Sequence, residues 1–247
     1  MLESLVNQFI YYPEPDWWTT PASLGLEAEE VHLTPEPGVG LHAWFFPYPQ
    51  PFEQDPMASR TMRTRSRPLA TLLFCHGNAG NVSHRLENVY YLLQTGFQVL
   101  LFDYRGYGHS SGQPSEEGLY RDAVSAWIHL VERPDTAGIP RIIFGRSLGG
   151  AVAVELATRV ASDGLILEST FTSIRTLARL MFPLPLPELP VHYDSLSKIG
   201  RIRMPLLAIH GQEDELIPFA DGQVLFDAAP EPKAWYPIPG AGHNDTY

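Results

Sequence analysis

RIIFGRSLGG, residues 141–150, decides how the rest of the chain is read. RIIFG (141–145) is a short apolar run bounded by turn residues, the pattern of a buried strand. Leu148–Val160 continues as a helix rich in small residues. Between them stands Gly145-Arg146-Ser147-Leu148-Gly149, a G-x-S-x-G with an added Gly150. That pattern is weak on its own and specific at a strand-to-helix junction. The turn there is so tight that Ser147 is expected in a strained backbone conformation, with the glycines leaving room for neighbouring elements. The hydroxyl would stand at the sheet edge, over a helix N-terminus that favours developing negative charge. The competing reading is a serine helix cap in a glycine-rich turn.

Outward from this turn, strands and helices alternate. LATLLFC (69–75), FQVLLFDY (97–104), GLILES (164–169), PLLAIHG (205–211) and AWYPI (234–238) read as strands. Helices are expected over 83–95, after a Ser115 cap followed by Glu116 and Glu117, near 173–181, and over Pro218–Ala228. Continuous apolar strands alternating with helices imply an α/β fold, a mostly parallel sheet with helices on both faces. The runs 29–35 and 41–48 are expected to form an antiparallel N-terminal edge. No repeat or domain boundary interrupts the pattern, so residues 1–247 read as one domain, with 53–68 a long loop and 171–193 a cap-like insertion. Ligands of such sheets bind beyond the carboxyl ends of the strands.

A lone serine is a poor nucleophile; it needs a base, and the base needs an orienting acid. His243, in GAGHND, follows the last predicted strand and is the candidate base. Asp214, in HGQEDELIP, follows the strand at 205–211 and is the candidate acid. Its neighbours Glu213 and Glu215 are one residue away, and Glu168, at the end of the preceding strand, competes for the role. His210 ends an apolar strand and suits a structural role. HGNAGN (76–81) follows the strand at 69–75, where the backbone N–H of Asn78 would pair with that of Leu148 as an oxyanion hole. The alternative is a plain Gly/Asn turn. RGYGHSSG (105–112) reads as structural, with Tyr104 and Tyr107 lining the pocket floor. In the insertion, Leu180, Met181, Phe182, Leu184 and Leu186 form either an apolar cap suited to an acyl chain or ordinary core.

The formal net charge is -11, which argues against a nucleic-acid partner. Arg60, Arg63, Arg65 and Arg67 lie in a Pro/Ser/Thr/Met-rich stretch and read as a solvated loop. The single cysteine, Cys75, allows no intrachain disulfide and sits in an apolar run as a small hydrophobe. That usage fits a reducing compartment, and a cytoplasmic location is expected. The N-terminus lacks the basic and apolar regions of a secretory signal, and no stretch approaches the ~20 apolar residues of a membrane span. Leu2, Leu5, Val6, Phe9 and Ile10 fall at helical spacing. They either pack on the domain or make peripheral contact with a membrane surface.

CHGNAGN (75–81), FDYRGYGHSSGQPSEEGLYRDA (102–123), FGRSLGGAVA (144–153), LILESTFTS (165–173), IHGQEDELIP (209–218) and GAGHND (240–245) together resemble the Bem46-like group of α/β hydrolases. The resemblance implies the α/β-hydrolase fold and a triad of Ser147, Asp214 and His243. It also implies cleavage of a carboxylic ester or thioester through an acyl-enzyme, with neither cofactor nor metal. The expected substrate is a small-molecule ester with a hydrophobic acyl group. Some members remove acyl chains from lipidated proteins, but members often begin with a membrane-spanning segment or a lipidated cysteine cluster, which this chain lacks. Members also usually end in a helix over the last strand. Here the sequence stops at Tyr247, four residues after His243, so one face of the sheet is expected to be uncovered or covered by a partner, or the sequence to be a truncated product. Two other functions stand beside the esterase reading: a peptidase of prolyl-peptidase type, and a non-catalytic binding protein on a hydrolase scaffold.

Overall fold

The apolar runs become an eight-stranded sheet because the central ones are buried on both faces and must find backbone partners on both sides. The structure, a computed structural model, describes residues 10–48, 66–181 and 192–246. The strands are β1 (Glu29–Glu36), β2 (Val39–Phe46), β3 (Thr71–Cys75), β4 (Gln98–Phe102), β5 (Arg141–Arg146), β6 (Gly164–Glu168), β7 (Leu206–Gly211) and β8 (Lys233–Ile238). They lie in the order β8-β7-β6-β5-β3-β4-β2-β1. Only β2 runs against its neighbours β1 and β4, and every other pairing is parallel. The antiparallel edge expected from sequence is therefore one reversed strand, with β1 turned back to the common direction.

The helices are α1 (Leu86–Gln94), α2 (Glu116–Glu132), α3 (Leu148–Arg159), α4 (Ile174–Met181), α5 (Leu196–Ile199) and α6 (Phe219–Ala228). The helix expected over 83–95 is narrower than its pattern. Its first turn is a 3₁₀ segment, Val82–Arg85, capped by Asn81, whose Oδ1 accepts from the Ser83 N–H at 2.9 Å. Ser115 caps α2 as expected, accepting from the Gly118 N–H at 3.2 Å. The four-residue α5 carries too little periodicity to be read from sequence. The stretch 105–112 is tied down as a structural turn: Arg105 ion-pairs with the buried Asp122 of α2 at 2.8 Å and with Glu36 of β1 at 2.5 Å.

Helices cover both faces unequally. On one face α2 and α3 bury Leu119, Ala123, Val152 and Leu156 against Ile143, Leu165 and Leu167. On the other, Leu86, Val89 and Leu93 of α1 meet Leu72, Phe74, Val99, Leu101 and Phe144. Beyond β5 on this second face, Ile142, Ile166, Leu207 and Ile209 are only half-buried, and Tyr236 of β8 is 62% exposed. No helix follows β8 among the described residues. Several sequence readings lie outside the described residues: Leu2 to Phe9, Arg60, Arg63 and Arg65 in the long loop, and Phe182, Leu184 and Leu186 of the insertion. Leu180 and Met181 end α4, and their side chains are likewise outside what is described.

Because α1 covers the second face over β3 and β4, its fully buried Leu93 is a sensitive position. Leu93→Ala is expected to cost about 2–5 kcal/mol, the usual range for a buried leucine left as a cavity. Urea unfolding measures this, and a loss under about 1 kcal/mol would show that the site collapses to fill the gap.

Candidate active site

The turn from β5 into α3 holds Ser147 at φ 55° and ψ -122°, a conformation that side-chain-bearing residues rarely adopt. Three hydrogen bonds enforce it. The Ser147 N–H donates to the Glu168 carbonyl at 2.9 Å, and its own carbonyl accepts from Thr170 Oγ1 at 2.8 Å and from the Gly150 N–H at 2.9 Å. Glycine is required two residues on, because a Cβ at Gly149 would run into the carbonyl of Cys75 at the end of β3. The loop after β3 packs in ordinary contact with the serine: a Cβ on Gly77 would lie 3.5 Å from that of Ser147. This packing brings the sequence-predicted Asn78 loop and the start of α3 at Leu148 to one place.

His243 comes from the loop after β8 and Asp214 from the loop after β7. His243 Nδ1 lies 2.8 Å from Asp214 Oδ2, and its Nε2 lies 3.1 Å from Ser147 Oγ. An ionised carboxylate only accepts, so Nδ1 carries the proton and Nε2 is left to accept from the serine hydroxyl. Burial alone would raise the Asp214 pKa. Hydrogen bonds from His210, His243 and the Ile217 N–H outweigh burial and hold the carboxyl well below its usual range. The Leu216 and Ile217 N–H groups both donate to Oδ1, at 3.0 and 2.8 Å. His210 is buried against Phe219 and Trp235, donates from Nε2 to the Ile217 carbonyl at 2.9 Å, and stands 3.3 Å from Asp214 Oδ2. Its structural role thus includes steadying the acid.

Glu168, the competing acid, is engaged elsewhere. Its Oε1 accepts from Arg146 Nε at 2.9 Å and from Thr246 Oγ1 at 2.5 Å. Glu215 supports the base instead, accepting from the His243 N–H at 3.1 Å. Arg146, inside the G-x-S-x-G, has a role that the motif does not announce. Its buried guanidinium donates from Nη2 to the His243 carbonyl at 2.6 Å and to Asn244 Oδ1 at 3.2 Å. The signal was a charged side chain at the end of an apolar strand, where burial demands partners. The loop holding His243 is therefore pinned by the residue before Ser147.

Two other reactive side chains nearby are inert by environment. His76 is fully buried, and burial, with a further push from the Arg85 charge, takes its pKa down to about 3, so the ring is neutral. Burial pushes the Cys75 thiol up, which removes the thiolate. Among the described residues no group of His, Cys, Asp and Glu is gathered as a metal site.

The fold and the Ser147–His243–Asp214 geometry together define the α/β-hydrolase class. Residues 66–190 match the family described as serine aminopeptidase, S33. An uncharacterized protein of Mycobacterium tuberculosis is 36% identical over 97% of this chain and 80% of its own length. Protein bem46 of Schizosaccharomyces pombe is 33% identical over 92% of this chain and 74% of its own. Among solved structures, an esterase of Pyrococcus furiosus superposes with a TM-score of 0.70 over 95% of this chain and 90% of that one, at 19% identity, a likeness of fold. The chain belongs to this S33 family of α/β hydrolases, with bem46 among its relatives.

Two predictions follow the charges at this site. Arg146→Met removes the clamp on the His243 loop while leaving the elbow backbone in place. It is expected to lower kcat about 10- to 100-fold with little change in KM, a loss of orientation rather than of binding. Equal losses in kcat and folded fraction, followed by circular dichroism, would make Arg146 merely a stabilising residue. Asp214, whose folded-state pKa is depressed, contributes stability that is fully present above its ordinary value of 3.8 and is lost as pH falls through the folded value. The stability gap between the native chain and Asp214→Asn should accordingly be widest near neutral pH and narrow below pH 3.8 in urea titrations.

Proposed function

We propose that this chain is a serine hydrolase that cleaves a carboxylic ester or thioester through an acyl-enzyme. The observation that carries the reading is the relay from Ser147 Oγ to His243 Nε2 at 3.1 Å and from His243 Nδ1 to Asp214 at 2.8 Å, on a serine held at φ 55°. His243 takes the Ser147 proton as Oγ attacks the carbonyl carbon, and the imidazolium is stabilised by the ionised Asp214. The backbone N–H groups of Asn78 and Leu148 receive the oxyanion. His243 then passes its proton to the leaving oxygen or sulfur, and the acyl-enzyme forms. Water, deprotonated by the same imidazole, attacks the acyl carbon and returns Ser147. Every group required is a side chain or amide of this chain, so the reading invokes no cofactor.

The substrate we favour is a small-molecule ester with a hydrophobic acyl group, in keeping with the apolar sequence of the insertion. The single buried Cys75 suits a reducing compartment, and we place the protein in the cytoplasm on that ground. No helix among the described residues is long and apolar enough to cross a membrane.

A fluorophosphonate probe tests the nucleophile: labelling is expected for the native chain, abolished by Ser147→Ala and strongly slowed by His243→Ala. Labelling that survives Ser147→Ala sinks the reading. The serine aminopeptidase description of the matched family favours a second possibility, amide cleavage. A series of p-nitrophenyl esters of increasing acyl length, run beside an aminoacyl-anilide, decides it, and equal or faster anilide turnover would replace the esterase assignment with a peptidase.

A further inference from the structure

The oxyanion loop is bonded on its outer side to a segment far away in the chain. Tyr12–Pro13 forms a short parallel pairing with Ala79–Gly80. The Glu14 N–H donates to the Gly80 carbonyl at 3.1 Å. The buried Asn81 donates from Nδ2 to the Glu14 and Asp16 carbonyls at 2.9 and 2.8 Å, and the Trp18 N–H donates to Ser83 Oγ at 2.9 Å. The segment 10–18 thus runs as a strap along residues 78–83. Its inner end is anchored by Tyr11, whose hydroxyl is hydrogen-bonded to that of the fully buried Tyr193 at 2.8 Å.

The joint between strap and loop is the side chain of Asn78. Its Nδ2 donates to the Ile10 carbonyl at 2.5 Å, and its Oδ1 accepts from the Tyr107 hydroxyl at 2.9 Å. Tyr107 is fully buried, edge-on to the His76 ring, and its hydroxyl is also bonded by the backbone of Tyr12. The next residue, Gly108, donates its N–H to the Glu14 carbonyl at 3.0 Å. Both ends of the Asn78 amide are therefore held by groups that are themselves fixed. On the far side of the loop, the Val82 N–H is taken by the buried Asp103 at 2.9 Å. A loop of sequence HGNAGN has little stiffness of its own, since glycine leaves the backbone its widest freedom. The peptide of Asn78 cannot swing without breaking the bonds to Ile10 and Tyr107 together.

We infer that the strap Ile10–Trp18 and the Tyr107 hydroxyl are positioning elements of the active site, holding the oxyanion loop through the Asn78 side chain. The inference rests on the serine-hydrolase reading for its catalytic consequence, since a donor preorganised for the oxyanion needs no reorganisation during the reaction. It extends the functional unit to residues that touch no substrate.

Asn78→Ala and Tyr107→Phe test it, because both keep the backbone N–H of residue 78; the first removes the whole side-chain tether and the second its Oδ1 half. Each variant is read by kcat and KM on a p-nitrophenyl ester, by thermal melting, and by backbone hydrogen exchange across residues 76–82. The expected result is faster exchange confined to this loop and to residues 10–18. A fall in kcat of about 10- to 100-fold should accompany it, smaller than the ~10²–10³ of losing a donor outright, with KM nearly constant. The double variant should lose little more than the worse single one, since both substitutions break the same tether. Unchanged exchange in the loop overturns the inference, as does faster exchange with full kcat. Failure of the hydrolase reading looks different: the native chain then takes no fluorophosphonate at Ser147, while exchange still reports whether the strap holds the loop.

Discussion

The tightest glycine contact among the described residues is the approach of α3 to the end of β3, where Gly149 leaves no room for a side chain beside the Cys75 carbonyl. That approach fixes how the chain must turn between β5 and α3, and the turn forces Ser147 to a positive φ. Strain of this kind costs of order 1–3 kcal/mol and persists only where the surroundings over-determine it. Here the surroundings are the bonds of Ser147 to Glu168, Thr170 and Gly150 together with the buried carboxyl end of β5 beneath. The loop at 76–82 starts from β3, which pairs with β5, and the His243 loop starts from β8, three places along the same sheet, so both positions follow from that sheet.

The central strands were legible because burial on both faces removes the ambiguity of periodicity: TLLFC and QVLLF have every residue buried, and nothing but a strand accommodates such short apolar runs beside glycines. The order Ser147, Asp214, His243 was legible because each follows a strand. Spacing alone does not say whether Asp214 or Glu168 faces the imidazole of His243; Arg146 holds Glu168, and Asp214 meets the ring. Other parts were illegible for a physical reason. The roles of Arg146, Glu215 and the strap depend on contacts between residues far apart in sequence, such as Ile10 with Asn78 and Arg146 with His243. A carbonyl acceptor leaves no trace in residue identity, so a segment that acts through its backbone, as 10–18 does, carries no motif.

Arg146 also shows why a buried ion pair can be worth its desolvation. Replacing such pairs by apolar residues is often neutral or stabilising, so its retention is poorly explained by stability alone. Its geometry offers another reason. One guanidinium bonds Glu168 at the end of β6 and, through Nη2, a carbonyl and an amide oxygen of the His243 loop. An apolar side chain of equal volume would fill the space without specifying where the carbonyl of His243 lies.

The components of the site come from chain segments that are far apart in sequence: the strap at 10–18, the loop at 76–82, the turn at 145–150, the acid at 214 and the base at 243. If each were placed only relative to its own strand, positional errors would accumulate along the sheet, and a site needs its groups within about 0.5 Å of their working positions. The bonds described here avoid that accumulation. The His243 loop is tied to Arg146, one residue from Ser147; the loop at 76–82 packs against Ser147 through Gly77 and is clamped from behind by Asn78; Asp214 is bonded directly to His243. Each of these groups is thus referred within one or two contacts to the same strained turn. The precision of the whole site then depends on how rigidly that turn is held, which is the condition Gly149 imposes.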